Sequence, residues 1–448
     1  MRYEMREVYE VRTRNRGLTR AALAALLVAL LALVAAGCGS GDDDSGGDGG
    51  DGPVEITFWH GQNQTAQQTI EGLVDRFNAS HPDVKVKAEV GALADSLYQK
   101  TTAALAGGKY PDVVYQFGPN IASLARSPKA LDLTDAVRDA AWRWDDFYPP
   151  AREAVTVDGK VRAVPALIDS LAVVYNRRLF REAGIPAPRA GWTWDDYRAI
   201  ARQLTDSSKG QFGSAWPGVG DEDTVWRLWP MVWQLGGDVT SPDGEQAGFE
   251  GESGLTSFTT INDMAVTDRS LYIDKTAGSE KMYAIFNTGR IGMVPTGPWQ
   301  VPEFVKARVD YGVVPMPSYS DRPTTISGPD AWMLFDNGDA RARAAQEFAQ
   351  WLTLPEQDAV WDVDAGSLPL RRSTAQQPIW RRHAQEVVGL DVFTAALEQA
   401  RVRPTIQAYP KLSEAVGSGI VDVLLGTADP QEALDKAVDG ANEALAGD

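Results

Sequence analysis

The side chains best suited to binding chemistry follow two predicted strands near the start of the folded part of the chain. His60, Gln62 and Asn63 come directly after one strand, and Gln116 and Phe117 lie at the end of another. Amide and imidazole groups can donate and accept hydrogen bonds, and an aromatic ring can cover an apolar face, so side chains of these types could bind a ligand. The chain offers both types of side chain, although many such polar loop residues are merely solvated.

Metal chemistry and several kinds of catalysis find little support in the composition. The chain has only three His and one Cys, too few imidazole and thiolate ligands for a zinc or copper site. The patterns G-x-S-x-G, H-E-x-x-H and Walker A do not occur in the sequence. Any metal would therefore have to be bound by oxygen ligands, and we expect no catalytic residue, no metal site and no cofactor.

Length and charge limit the class of protein further. With 448 residues the chain is long enough for two to four domains, and its formal net charge is −18. Binding to nucleic acid requires clustered Lys and Arg, so a nucleic-acid partner is not expected.

The first 37 residues have the pattern of an export signal. Residues 1–20 hold six Arg and three Glu, and residues 21–37 are uncharged and rich in Ala, Leu and Val. A signal anchor is the alternative, because 17 residues lie near the lower limit for a membrane-spanning helix. The segment Val34-Ala35-Ala36-Gly37-Cys38 resembles the bacterial lipoprotein box, which implies that Cys38 is lipidated and anchors the chain to the outer face of the cytoplasmic membrane.

Residues 39–53 contain seven Gly, five Asp and two Ser, a composition that cannot bury enough apolar surface to fold. We interpret them as a tether between the anchor and the folded body. A featureless disordered terminus would have the same composition.

Beyond residue 54 the sequence alternates strand and helix patterns. Residues 54–117 predict a βαβαβ unit, in which helical crossovers join the strands of an open parallel sheet whose ligands bind at the carboxyl ends. Further along, residues 163–174 have the composition of a strand, and residues 177–183 predict a helix.

Two helix starts and one group of tryptophans stand out in the second half of the chain. Thr193 is expected to cap one helix, and Asp429-Pro430 predicts the N-cap and first residue of a terminal helix. Trp226, Trp229 and Trp233 have the spacing of one helix face, and we expect core packing for two of them.

Several segments match, in order, one known family. They are Ile56 to Gly61, Phe77 to Val86, Gly107 to Val114, Tyr175 to Ile185, Gly191 to Asp195, Gly289 to Trp299 and Phe348 to Gln357. Together they resemble the family 1 extracellular solute-binding proteins of ABC importers.

The resemblance implies an α/β fold of two lobes with a ligand cleft between them, the periplasmic-binding-protein-like class in which the chain crosses between lobes three times. The implied crossings lie near Ala166 to Ser170, Ser327 to Asp330 and Leu370 to Ser373. The resemblance assigns residues 54–168 plus 329–371 to the N-terminal lobe and residues 169–328 plus 372–448 to the C-terminal lobe. The implied function is capture of a carbohydrate by hinge closure and its delivery to a membrane permease, by a protein expected to be a monomer.

The resemblance also implies site residues. Trp299 stands at the position of the stacking Trp, Tyr409 at a second aromatic position, and Asp169 at that of a hinge carboxylate. The alternatives are that Trp299 wedges two core elements, which we favour less than stacking, and that Asp169 only caps the hinge. Gln62 and Gln116 stand at loop positions that contact ligand. The full candidate set is His60, Gln62, Asn63, Gln116, Phe117, Asp169, Trp226, Trp299, Asp330, Arg371 and Tyr409.

Other interpretations remain open at this point. A phosphorylated sugar would require convergent cations, for which Arg371-Arg372 and the pair Arg401 and Arg403 are candidates, but a solvated surface location is the commoner explanation for arginine. A secreted carbohydrate-active enzyme would use a similar aromatic cleft with two acids about 5–9.5 Å apart. A purely structural surface lipoprotein would require no hinge.

Overall fold

The computed structural model describes residues 52–447 except 63, 92–93, 277–278 and 320–322. Its strands are β1 (Val54–His60), β2 (Val84–Val90), β3 (Val113–Gln116), β4 (Thr156–Val157), β5 (Lys160–Val161), β6 (Val164–Leu167), β7 (Ala172–Asn176), β8 (Ser214–Pro217), β9 (Leu271–Asp274), β10 (Met293–Thr296), β11 (Tyr311–Pro315), β12 (Thr325–Ile326), β13 (Asp330–Leu334) and β14 (Ala400–Arg401).

The helices lie between and after these strands along the chain. They are α1 (Gln64–Ser80), α2 (Ala94–Ala106), α3 (Ile121–Ala125), α4 (Pro149–Ala154), α5 (Arg177–Ala183), α6 (Trp194–Leu204), α7 (Glu222–Val225), α8 (Trp229–Gln234), α9 (Glu252–Asn262), α10 (Glu280–Asn287), α11 (Val301–Lys306), α12 (Asp339–Leu352), α13 (Pro355–Ala365), α14 (Pro378–Glu386), α15 (Leu390–Ala396), α16 (Tyr409–Leu425) and α17 (Pro430–Ala446).

The first lobe is built on a five-stranded sheet in the order β2-β1-β3-β13-β6. The predicted βαβαβ unit is present, and β1 is parallel to both β2 and β3. The expectation of a fully parallel sheet is wrong for one strand, because β13 runs antiparallel to its neighbours β3 and β6. Strand β13 belongs to a segment that returns from the second lobe, and its direction is set by that return.

The second lobe contains a three-stranded antiparallel sheet, β10-β7-β11, and two short parallel pairs, β8 with β9 and β12 with β14. The stretch 163–174, whose composition predicted one strand, is divided between the lobes. Strand β6 belongs to the first sheet and β7 to the second, so residues 168–171 pass from one lobe to the other.

Three crossing segments lie side by side between the lobes. Leu171 N–H donates to the carbonyl of Ile326 at 3.1 Å, and Leu368 N–H donates to the carbonyl of Ile168 at 3.0 Å. The residues around 168–171, 326–330 and 367–371 thereby form a hydrogen-bonded bundle that connects the two sheets. A bundle of this kind can act as a hinge, because small backbone rotations in it move one lobe relative to the other.

Local capping accounts for the helices that the sequence predicted. Asn176 caps α5 by accepting from Leu179 N–H, and Thr193 forms a full capping box with Asp196 at the start of α6. Asp429 accepts from two backbone N–H groups at the start of α17. The predicted apolar face of α17 is buried as expected, at Ala433, Leu434, Ala437, Val438 and Leu445.

The tryptophans of the second lobe depart from the prediction. Trp226, Trp229 and Trp233 do not share one helix, because α7 ends at Val225 and α8 begins at Trp229. Pro230 has no N–H to donate and therefore favours a new helix start at this point. All three indoles are buried, rather than two.

Each lobe has its own apolar core. One core packs around the first sheet, with Phe58, Trp332 and Phe348 at its centre, and another packs around α8, α16 and α17 of the second lobe. Within the described residues, no helix has the length and apolar character needed to cross a membrane.

Candidate functional site

The crossing segments carry two carboxylates into the space between the lobes. Asp169 is 8% exposed and accepts a hydrogen bond from Gly328 N–H at 2.6 Å. Asp330, at the start of β13, accepts from Tyr115 Oη at 2.6 Å and from Gly118 N–H at 2.9 Å. Both predicted acids therefore lie at the same place, where the backbone of Gly328 holds Asp169 and the end of β3, with Gly118, holds Asp330.

Burial perturbs both carboxyl groups. Loss of hydration raises the pKa of Asp169 to about 7, with the neighbouring Asp330 acting in the same direction and the Gly328 N–H and Arg403 opposing it. Burial likewise raises the pKa of Asp330 to about 6, against the hydrogen bonds from Tyr115 and Gly118. At neutral pH these groups can therefore act as donors or acceptors towards hydroxyls.

The aromatic side chains of the second lobe form the opposite wall. The rings of Trp226 and Trp299 have centroids 5.5 Å apart and are inclined at 38°. Trp226 is buried, whereas Trp299 is only partly buried against the core of the second lobe. A Cβ at Gly297 would lie 1.8 Å from the ring of Trp299, so the indole folds back over a position where only glycine fits.

A polar network completes this wall. Arg403 Nη1 donates to Glu222 Oε1 at 2.6 Å, and the hydroxyl of Tyr409 donates to the same oxygen at 2.9 Å. Ser413 Oγ contacts the second oxygen of Glu222, and Trp229 Nε1 donates to the Tyr409 hydroxyl at 2.9 Å. Arg403 Cζ lies 6.0 Å from the ring of Trp226 and 5.9 Å from that of Tyr409, so its guanidinium is held between two aromatic rings.

The acids and the aromatic wall meet around Gly328. A Cβ at that position would lie 3.2 Å from Arg403 Nη2, 3.4 Å from the ring of Trp226 and 3.5 Å from Asp169 Oδ1. Three groups of different chemistry thus converge on one glycine of a crossing segment.

The two lobes are in direct contact beside these groups. A cavity of about 20 Å³ is lined by Gly118, Pro119, Ala122, Ala154 and Pro329 on one side and by residues 402–405 and Tyr409 on the other. Thr405 Oγ1 donates to the carbonyl of Thr156 at 3.1 Å across the same boundary. Because pockets for small molecules usually measure about 300–1,000 Å³, a ligand enters here only when the lobes separate.

The remaining residues predicted on the first lobe lie at or near the carboxyl ends of β1 and β3. Gln62 reaches the hydroxyl of Tyr115, and the ring of Phe117 lies 5.4 Å from that of Tyr115. Gln116 is fully buried and its amide has no hydrogen-bond partner among the described residues. Neither ring nitrogen of His60 has one, and burial lowers the pKa of His60.

His60 and Gln116 nevertheless do not share one surface. Trp59 pairs with Val114 in the sheet, so the alternation of side chains places His60 on the face of Tyr115 and Gln116 on the opposite face. Asn63, like the lipidation candidate Cys38, lies outside the described residues.

Arg371 attaches the crossing segment 367–371 to the first lobe. Its guanidinium donates to the carbonyls of Thr353, Trp142 and Arg143 and stacks on Phe147 at 3.7 Å. It is 2% exposed, so it is neither a solvated surface arginine nor free to contact a solute, and we leave it out of the candidate site.

Sequence reasoning missed Glu222, Tyr115 and Gly328 and gave Arg403 only as an alternative. Tyr115 lies within the predicted strand and was detectable from its position next to Gln116. Glu222 carries no such signal, because its partners Arg403 and Tyr409 lie 181 and 187 residues further along the chain. In the described part of the chain, no group of three or more His, Cys, Asp or Glu side chains is arranged to hold a metal ion.

Comparisons with known proteins all point to solute-binding proteins. Residues 61–359 match the family model described as bacterial extracellular solute-binding protein. A maltotriose-binding protein of Pyrococcus abyssi is 23% identical over 399 residues, which cover 86% of this chain and 80% of the relative. The sn-glycerol-3-phosphate-binding periplasmic protein of Pectobacterium atrosepticum is 24% identical over 414 residues, with 88% and 91% coverage.

Solved structures agree with the sequence relatives. The crystal structure of a cyclic α-maltosyl-1,6-maltose binding protein from Arthrobacter globiformis superposes with a TM-score of 0.78 at 26% identity, covering 89% of this chain and all of that protein.

Proposed function

Because the chain belongs to the bacterial extracellular solute-binding proteins, we propose that it captures a carbohydrate between its two lobes and delivers it to the membrane permease of an ABC importer. The solute is a sugar, an oligosaccharide or a sugar-phosphate-like compound, because the relatives are named for oligosaccharides and for sn-glycerol 3-phosphate. Its role is binding and release, and the protein catalyses no reaction on the solute.

One observation supports this proposal above the others. Asp169, Asp330, Trp226, Trp299 and Tyr409 come from distant parts of the sequence, yet they gather where the crossing segments meet. Carboxylates that exchange hydrogen bonds with hydroxyls, set opposite indoles that cover C–H faces, are the combination that sugar recognition requires.

Lobe movement gives the binding cycle. When the lobes separate, each presents half of the site, and a solute that contacts both halves stabilises the closed arrangement by its differential affinity. The permease then recognises the closed form, and we expect the protein to act as a monomer.

A thermal-shift screen of maltose, maltotriose, cyclic maltosyl-maltose, trehalose, glycerol and sn-glycerol 3-phosphate tests the function. A solute present at 100 times its Kd stabilises the folded protein by about 2.7 kcal/mol. Small-angle scattering of the best hit should show a smaller radius of gyration at saturation. If no member of the screen stabilises the protein, capture of a carbohydrate is contradicted. If chromatography shows that the protein slowly hydrolyses the hit, the absence of catalysis is contradicted.

Anchoring through Cys38 is a separate part of the proposal. The small residues before Cys38 and the Gly/Asp-rich segment after it support a lipidated N-terminus with a tether. Two or more acyl chains would hold the protein stably at the outer face of the membrane, where one chain would be marginal. Labelling with a palmitate analogue in a bacterium that processes lipoproteins should be lost in Cys38→Ala, and unchanged labelling would contradict the anchor.

A further inference from the structure

The cleft has few hydrogen-bond donors that could bind an anionic solute, because the protein's own carboxylates already accept from these donors. Glu222 accepts from Arg403 and Tyr409 and contacts Ser413, so it takes up the cation and the hydroxyl donors at the start of α16. Donors of this kind are the ones that a phosphate or carboxylate would use.

The backbone donors of the cleft are occupied in the same way. Gly118 N–H, at the start of a short helical turn, donates to Asp330. Gly328 N–H donates to Asp169. Only Oδ1 of Asp169 receives a hydrogen bond from the described residues, so the second carboxylate oxygen of this largely buried residue remains to accept from a solute hydroxyl.

The arginines that could have formed a phosphate site are engaged elsewhere. Arg371 binds backbone carbonyls, Arg372 lies over the ring of Tyr148 at 5.0 Å and 3.8 Å from Glu398, and Arg401 pairs with Asp238 at 2.6 Å. Arg403 is the cation whose charge acts on both Asp169 and Asp330. The guanidinium of Arg403 therefore lies near three carboxylates, those of Glu222, Asp169 and Asp330, and it is already paired with Glu222.

From this arrangement we propose that the cleft selects uncharged sugars and rejects their phosphate esters and acids. The inference rests on the proposed function and narrows its solute class. An ester phosphate carries a charge of about −1.5 to −2 at neutral pH, and placing it beside Asp169 and Asp330 adds like-charge repulsion that no free cation of the cleft offsets among the residues the structure describes.

Matched pairs of solutes test the selection by calorimetric titration. The pairs are glycerol with sn-glycerol 3-phosphate, maltose with maltose 1-phosphate, trehalose with trehalose 6-phosphate, and glucose with glucuronate. In any pair that binds, we expect the neutral member to bind about 30-fold more tightly or better, which corresponds to about 2 kcal/mol. An ester or acid that binds as tightly as its neutral partner would overturn the inference while leaving solute capture intact. Binding of neither member in every pair would contradict carbohydrate capture itself, and the inference with it.

A pH series and two variants separate charge repulsion from simple lack of space. Asp169 faces Asp330 on β13, Tyr115 on β3 and Arg403, and Asp330 faces the same Tyr115 and Arg403. Preference for the neutral member should therefore increase from pH 5 to pH 8 as both acids ionise. In Asp169→Asn the increase should shrink by about threefold or more, whereas Asp391→Asn, an exposed aspartate of the second lobe, should behave as the parent. A preference that is independent of pH and unchanged in Asp169→Asn would overturn the electrostatic explanation.

Discussion

Replacement of Trp299 by alanine gives the most direct test of the aromatic wall. The indole is partly buried and its main aromatic neighbour is Trp226, with ring centroids 5.5 Å apart. Its removal therefore deletes a surface that a sugar would cover but removes only part of a core contact. We expect Trp299→Ala to weaken binding much more than it weakens folding.

The magnitudes follow from those contacts. An aromatic pair contributes about 0.5–1.5 kcal/mol beyond the area it buries, and the partly buried indole adds a modest area contribution, so the free energy of unfolding should fall by about 1–2 kcal/mol. Loss of a stacking platform at a binding hot spot costs about 2 kcal/mol or more, which weakens binding about 30-fold. Trp299→Phe keeps a smaller platform and should lose less affinity than Trp299→Ala.

The assay combines titration calorimetry with urea unfolding, using the sugar that gives the largest thermal shift. Trp194→Ala is the matched control, because Trp194 is 1% exposed in the core of the second lobe and donates to Gln234 at 3.0 Å. That variant should lose about 3–5 kcal/mol of folding stability. If Trp299→Ala instead binds as tightly as the parent and unfolds as easily as Trp194→Ala, Trp299 is a core residue and the reasoning fails.

Two further predictions concern the cleft. Because the folded-state pKa of Asp169 is raised from 3.8 to about 7, its protonated form favours the folded state, so folding stability should decrease as the pH rises from about 4 to 8, by at most about 4 kcal/mol. Asp169→Asn should remove this loss in urea unfolding at pH 5 and pH 8, and an unchanged pH dependence would contradict it. A Cβ on Gly118 would lie 2.6 Å from the carbonyl oxygen of Pro329 and 2.7 Å from Arg403 Nη2, so Gly118→Ala should obstruct closure and weaken solute binding tenfold or more. Gly72→Ala, where a Cβ would meet nothing within 4 Å, should bind as the parent does, and equal affinity of both variants would refute the obstruction.

Predictions that depended on local pattern agree well with the structure. The cap at Thr193 and the start of α17 at Asp429 and Pro430 were evident because capping uses residues within one helical turn. The βαβαβ unit was evident because the period of apolar residues changes from strand to helix and back. The mixed sheet was not, because the direction of β13 depends on a chain segment that first passes through the second lobe.

The candidate site divides in the same way. The polar residues after β1 and β3 could be found from their place at strand ends, and the family resemblance drew attention to Asp169, Trp299 and Tyr409. Nothing in the sequence shows that the guanidinium of Arg371 donates its hydrogen bonds to backbone carbonyls, or that the side chain of Arg403 is nearly buried.

The sequence by itself determined the class of this protein, because segment order, strand and helix periods and turn residues are properties of short stretches. The tertiary structure decided which charges meet. Glu222 neutralises Arg403 from 181 residues away, and Asp330 takes the N–H of Gly118 from 212 residues away. Charge balance in a cleft is a sum over groups that only folding brings within a few ångströms of one another, and Coulomb energy depends on that distance and on burial, neither of which is written in local sequence.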